Sequence, residues 1–294
     1  MIIGIGGVNI DFKYELETNK LNSSNQATFT QSYGGVMRNV LENLGRLNVN
    51  VSLVSFVGKD ILGDAVLEYS KEYMDISLVK RVEEPTGTYA AFSYDDDLLI
   101  GASSISLKFS AEYLKKIETH LIKAEMLVFD SNLDKESISY LISLGNKYNI
   151  KTVLIGVSDP KMKNVPEDLN GLYLAIHNLG EVRTYFKSKL DGLSLNKMMK
   201  EKGVKNSIIT NGKKNVFYNK YEIKVKENPN FIDPTGLGDS FSAGVIYGDT
   251  KGYSLEYACV IGMTNSYYTG ETKLTVRDNL TEEKLLKEVE LYYD

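Results

Sequence analysis

Cysteine and histidine are nearly missing from this 294-residue chain, and their scarcity removes whole classes of chemistry. Cys259 is the one thiol, so an intrachain disulfide is impossible and no paired-thiol metal spacing exists. His120 and His177 are the only histidines, which leaves a zinc centre or a Ser-His-Asp triad little to draw on. His120 lies in a Lys/Glu-rich segment and reads as solvated. No Lys/Arg block stands out, and acidic residues outnumber basic ones 39 to 34 for a net charge of −5, so nucleic acid is not an expected partner. No apolar run approaches the roughly 20 residues of a membrane helix. No leader-like segment precedes the first strand, and a cytoplasmic protein without membrane contact is expected.

Two nucleotide-binding loops are missing as well. The G-x-x-x-x-G-K-[ST] pattern does not occur, and Lys59 is followed by Asp60 rather than Ser or Thr. Gly4-Ile5-Gly6-Gly7 lacks the third glycine and the directly following helix of a dinucleotide fingerprint. What is present is an ordinary globular composition, 43% hydrophobic and 25% charged, in a chain long enough for a large core.

Along the chain, short apolar strands alternate with amphipathic helices. Ile2–Val8 reads as a buried strand. A helix starts from Gly34-Gly35 with Val36, Val40, Leu44 and Leu47 on one face. Val51–Val57 is a strand and Ile61–Tyr73 a helix, and this alternation predicts a parallel sheet covered by helices. It resumes with a helix near 110–120, strands at 126–129, 152–155, 172–176 and ending at 210, and helices within 178–201. A hairpin at 215–226 and helices near 239–248, 254–267 and 282–292 complete the chain, the last capped by Thr281. Two stretches interrupt this rhythm. Residues 12–33 are polar and strand-like, and 84–103 read as two strands around Asp95-Asp96-Asp97; both are expected to form an exposed lid on a single domain spanning 1–294.

Four short motifs carry the candidate chemistry. Asn9 and Asp11 lie just past the first strand, where an aspartate can accept two hydroxyl hydrogen bonds from a polyol, or merely make an Asx turn. Gly34 and Gly35 open a helix that allows close ligand approach. Asn39 one turn on can donate and accept, or tie a neighbouring loop, and Arg38 either reaches the ligand or sits exposed, with the surface position expected. Asn178 and Glu181 begin a helix, serving either its dipole or the water shell of Mg²⁺. Last, Asp233-Pro234-Thr235-Gly236-Leu237-Gly238-Asp239 places two glycines, two aspartates and a threonine in seven positions. Gly236 and Gly238 can take positive φ and turn N–H groups toward one point, and Asp239 falls at a helix start that favours anions. A capped turn explains this stretch on its own; a phosphate cradle with a carboxylate base explains it in the company of the other three.

That ordered set resembles the ribokinase, or PfkB-type, carbohydrate kinase family over essentially the whole chain. Gly34-Gly35 with Asn39, then Gly58-x-Asp60-x-x-Gly63, resembles one family signature; Asp233-x-Thr235-Gly236-Leu237-Gly238-Asp239 resembles the other. The resemblance implies a ribokinase-like α/β fold, a central, mostly parallel sheet in three layers with a small β-sheet lid through which two copies often pair. It implies ATP and Mg²⁺ as cofactors. Asp239 would be the base, with Gly236, Leu237 and Gly238 as anion-hole donors and Asn178 and Glu181 acting on the metal and phosphates. Thr210, Gly212 and Asn265 would lie on the ATP side, Asn9, Asp11, Gly34, Gly35 and Asn39 on the sugar side, and Asp233 in a loop that can hold a monovalent cation such as K⁺. An aspartate at a helix N-terminus is expected to stay ionised at neutral pH.

Several details are closer to pseudouridine kinases than to ribokinase. Val36 stands where ribokinase-like sequences often carry lysine, Asp130-Ser131-Asn132 resembles an Asp-x-Asn run that places Asn132 on the sugar or base, and Thr86–Ser93 resembles their lid. Thr88 either reaches the ligand or only builds its strand. The chain departs from the family with Leu237 for alanine, Ile176-His177 for a Lys-Pro-like pair and Gly156 for aspartate. The expected activity is ATP-dependent phosphorylation of a hydroxymethyl group, with pseudouridine first and ribokinase-type or other sugars as the alternative. A nucleoside-binding regulator without catalysis is the reading from another class; a scaffold would make all four motifs coincidental.

Overall fold

Ile2 and Ile3 are neighbours, both buried, yet they belong to different cores. Side chains of a strand alternate between faces, so a strand buried on both sides must be covered twice. The computed structural model describes residues 1–95, 97–105 and 109–293. In chain order it runs β1 (Ile2–Ile5), β2 (Asn9–Leu16), β3 (Ala27–Gly34), α1 (Val36–Arg46), β4 (Val51–Gly58), α2 (Ile61–Ser70), β5 (Val79–Val82), β6 (Gly87–Tyr94) and β7 (Asp97–Ser104). Then come α3 (Ala111–Lys116), α4 (Glu118–Leu121), β8 (Met126–Asp130), α5 (Lys135–Tyr148), β9 (Lys151–Ile155), a 3₁₀ turn at Asp159–Asn164, β10 (Leu174–Asn178), α6 (Leu179–Phe186) and α7 (Gly192–Glu201). The chain ends with β11 (Asn206–Thr210), β12 (Asn215–Tyr218), β13 (Tyr221–Lys224), α8 (Leu237–Thr250), α9 (Leu255–Thr269) and α10 (Glu282–Tyr293).

The large sheet has the order β13-β12-β11-β10-β9-β8-β1-β4-β5, parallel from β11 to β5 and antiparallel in its last hairpin. One core joins Ile2, Leu53, Val128, Val153 and Ile176 to Val40 and Leu44 of α1 and to α8, α9 and α10. The other joins Ile3, Val54, Leu127, Leu154 and Ile209 to α3–α7. This is the expected ribokinase-like three-layer arrangement. A separate four-stranded sheet, β3-β2-β6-β7, forms the lid. β2 leaves β1 after a three-residue gap, which tethers the lid to the carboxyl end of a central strand of the large sheet. The lid segments expected at 12–33 and 84–103 are these strands; Asp96 of the acidic turn lies outside the described residues.

Some boundaries differ from expectation for local reasons. The strand expected at 172–176 is β10 at 174–178, because Leu172 N–H bonds Leu169 in a turn and parallel pairing starts with Leu174 opposite Asn206. The shift makes Asn178 both strand end and helix cap. The helix expected near 110–120 breaks at Ile117 into α3 and α4. β5, Val-Lys-Arg-Val, carries no apolar period and was not expected. Thr281 accepts from Lys284 N–H at 3.2 Å, the anticipated cap of α10. No helix among the described residues is long and apolar enough to cross a membrane.

Candidate active site

In an open parallel sheet, ligands collect beyond the carboxyl ends of the strands where the strand order reverses. Here β1 lies between β8 and β4, so the reversal falls at the β1–β8 junction. Asp130 ends β8 and spans that junction, its carboxylate accepting from Gly7 N–H at 3.3 Å and Asn132 N–H at 2.9 Å. It is fully buried, and burial pushes its pKa up to about 6 although both N–H groups oppose the change. Asn132 is half-buried beside it.

The lid supplies the opposite wall. Asn9 donates to Asp11 through its side-chain amide, and Gly34 leaves the space that the Asp11 carboxylate fills. Burial raises the Asp11 pKa, while Asn9, Lys13 and Arg38 work to lower it. Gly35 turns the chain into α1 with φ 101°, and a side chain there would collide with Gly7 O, so glycine is required. Lys13, on the same lid face as Asn9 and Asp11 by the period of two, reaches Asp233 Oδ2 at 3.2 Å and Thr235 Oγ1 at 3.0 Å.

α8 points its N-terminus into this crevice. Gly236 is its N-cap with φ 81°, and a Cβ there would run into Thr275 O. Gly238, expected to share the positive φ, is instead helical, and open space surrounds its missing side chain. Leu237 N–H makes a long 3.4 Å contact to Pro234 O, while Gly238 and Asp239 N–H are first-turn donors with no helical carbonyl behind them. Asp239 is reachable from the crevice but lies deep among protein atoms. That desolvation pushes its pKa up to about 7; Asn39 and Arg38 lower it, and Asp130 and Asp11 add to the rise. The expectation of a fully ionised aspartate is thereby corrected: depth in the crevice outweighs the helix dipole. A base poised near the working pH suits proton transfer. Asn39 donates from Nδ2 to Asp239 Oδ2 at 2.7 Å and so joins two motifs 200 residues apart.

The remaining candidates divide. Asn178 and Glu181 cap α6 reciprocally, Asn178 Oδ1 taking Glu181 N–H and Glu181 Oε2 taking Asn178 N–H, both at 2.9 Å. The helix-cap role is thus realised. His177 fills the space beside them, its Nδ1 3.7 Å from Glu181 Oε2 and neither ring nitrogen hydrogen-bonded among the described residues. A side chain at Gly156 would collide with His177 Nδ1 as well as with Glu181 Oε2, so the glycine and the histidine, both departures from the family pattern, fit each other. Thr210 pairs in register with Asn178, and Gly212 follows with open space around it. Asn265 is different: it is fully buried, donating to Asn43 Oδ1 and Ser240 O, both at 2.9 Å, and the structure keeps it between helices rather than at the crevice. Arg38, expected at the surface, is buried against Glu42. An Arg–Glu pair four apart among Met37, Val40 and Leu41 was the available signal. In the first signature, Asp60 caps α2 through Gly63 N–H and takes the N–H and hydroxyl of Thr86, which binds α2 to the lid. Among the described residues, no three His, Cys, Asp or Glu side chains could hold a metal directly.

Comparison with known proteins agrees with this geometry. The profile of the pfkB family carbohydrate kinases matches residues 1–268. The chain is 26% identical over 260 residues to the pseudouridine kinase of Escherichia coli, covering 83% of this chain and 82% of that protein. It is 25% identical over 298 residues to the nucleoside kinase of Methanocaldococcus jannaschii, covering 97% and 95%. Among solved structures, a carbohydrate kinase of Agrobacterium tumefaciens superposes with a TM-score of 0.84 at 20% identity, covering 99% and 97%.

Proposed function

Since the chain belongs to the pfkB family of carbohydrate kinases, phosphotransferases acting on an alcohol group, we propose that it transfers the γ-phosphoryl group of ATP to the hydroxymethyl group of a nucleoside, with pseudouridine the leading acceptor. The observation that carries this reading is the Asn39–Asp239 hydrogen bond at the mouth of α8, which sets a carboxylate beside first-turn N–H donors. Asp239 takes the acceptor's hydroxyl proton, the freed oxygen forms the new P–O bond, and ADP leaves with the electrons of the broken bond. The proton stays on Asp239 until solvent removes it. Gly238 and Asp239 N–H groups face the charge that develops on the phosphoryl oxygens, and such preorganised donors commonly carry much of a rate enhancement.

Asp11 and Asn9 would hold the ribose hydroxyls, with Gly34 and Gly35 allowing close approach and Asn132 beside the base. Thr210, Gly212 and Asn178 would line the ATP side; Asn265 is left out because of its burial. Mg²⁺ supplies charge neutralisation on the ATP phosphates. The donor set fits an ion that would arrive on those phosphates and keep its waters, with Glu181 and Asn178 as the residues that would hold it through water. Three desolvated carboxylates, Asp11, Asp130 and Asp239, oppose an acceptor that already carries a phosphate. That favours a neutral nucleoside or free sugar over a sugar phosphate. A cytoplasmic homodimer through the lid belongs to the same proposal, supported by the exposed Leu98, Leu99 and Ile100 of β7.

An ADP-release screen with Mg-ATP over nucleosides, ribose, fructose phosphates and keto-deoxy sugars tests the reading. Pseudouridine should give the highest kcat/KM and fructose 6-phosphate none. Preference for ribose moves the protein to the ribokinase-type alternative. Normal ATP binding with no turnover of any acceptor favours a regulator that binds nucleosides without catalysis.

A further inference from the structure

We infer that Arg38 is a positioning residue of the phosphoryl-transfer site: its guanidinium fixes which way the Asn39 amide faces and, through Asn39, the orientation and charge of Asp239. The inference rests on the assignment of Asp239 as the base. α1 begins at Val36, so Arg38 lies in its first turn and folds back under the corner where β3 ends. With 1% of its surface exposed, its Nε donates to Gly34 O at 3.2 Å, Nη2 to Tyr33 O at 2.8 Å and to Asn39 Oδ1, and Nη1 to Glu42 Oε2. A planar fork can serve four acceptors spread around it, and a point-like ammonium cannot.

The amide of Asn39 has a carbonyl at one end and two donors at the other. With Oδ1 against the guanidinium, Nδ2 must face Asp239 Oδ2, as it does at 2.7 Å. Turned over, the amide would set donors against donors and an oxygen against a carboxylate, so Arg38 excludes that orientation. One oxygen of Asp239 is thereby held, and the other is left for the acceptor hydroxyl. Around Asp239, Asp11 faces it from β2, Asp130 from β8 and Arg38 from α1; the two aspartates work against its charge and the arginine supports it. Glu42 compensates the buried arginine from behind, shared with Arg46 and the Tyr69 hydroxyl.

The test is a carbon-13 carboxyl NMR titration of aspartate-labelled protein, with the Asp239 signal assigned as the one lost in Asp239→Asn. The parent should titrate near the value its depth imposes, about 7. In Arg38→Met/Glu42→Gln, which removes cation and counter-charge together, the midpoint should move up by about one pH unit or more. The acidic limb of kcat/KM should move with it. An unchanged midpoint in a folded double variant overturns the inference. Should that variant fail to fold, Arg38→Lys keeps the charge and loses the fork. There the Asn39 side-chain amide protons should exchange with water faster than in the parent, and unchanged exchange overturns the orienting role. Neither the carboxyl titration nor the amide exchange needs an acceptor. Parent protein that releases no ADP would therefore sink the kinase reading while these titrations still decide on Arg38.

Discussion

Gly236 and Gly238 flank one leucine, and their substitution by alanine should have opposite consequences. At Gly236 the backbone is left-handed and a methyl meets Thr275 O, so Gly236→Ala should lower Tm by roughly 4–8 °C, as about 2 kcal/mol of strain implies. At Gly238 the backbone is helical, where alanine is favoured over glycine by about 1 kcal/mol. Gly238→Ala should therefore hold or raise Tm, while its methyl enters the cradle and lowers kcat roughly tenfold or more. Thermal melts and ADP release on the same preparations separate the two. The sequence marked both glycines as one kind of residue, since a string of letters does not tell a φ requirement from a space requirement. The burial of Arg38 is hidden in the sequence for a related reason. It depends on Tyr33 and Gly34 carbonyls that only the β3–α1 corner delivers. Asn265 resembled a contact residue but packs inward, because α9 turns that side toward α1 and α8.

At the scale of elements, β2 connects the acceptor wall to the anion-hole loop. Asn9 and Asp11 face the crevice, and Lys13, two residues further, holds Asp233 and Thr235 just before α8. Asp233 Oδ1 meanwhile takes Thr235 N–H at 2.7 Å. Both carboxylate oxygens are thus engaged, Oδ2 by an ammonium that would compete with a monovalent cation for this loop. Burial alone would raise the Asp233 pKa, but Thr235 and Lys13 hold it below the usual carboxylate value. The expected outcome is equal turnover in potassium and sodium chloride at matched ionic strength. Lys13→Met should cut kcat roughly tenfold, about 1.4 kcal/mol of lost loop positioning, and make turnover respond to potassium. Strong potassium activation of the parent protein would contradict this account of Lys13. The lid itself was legible as two polar, strand-like interruptions of an α/β rhythm. Its register was not, since β2 pairs with β6 across more than seventy residues of intervening chain.

The whole molecule is built to hold Asp239 where it is least comfortable. Its folded-state value of about 7 lies above the ordinary 3.8, so the stability present below the ordinary value is lost as pH rises toward 7. Asp239→Asn keeps a partner for Asn39 and removes the charge. Its melting temperature should exceed the parent's at about pH 8, with the gain shrinking toward about pH 4. The same substitution addresses the central claim, that this carboxylate is the base of a phosphoryl transfer. The deciding measurement is kcat for ADP formation by Asp239→Asn with saturating Mg-ATP and the best acceptor, with ATP affinity measured alongside. A fall of ~10²–10⁴-fold at unchanged ATP affinity is predicted; turnover equal to the parent's would contradict the account.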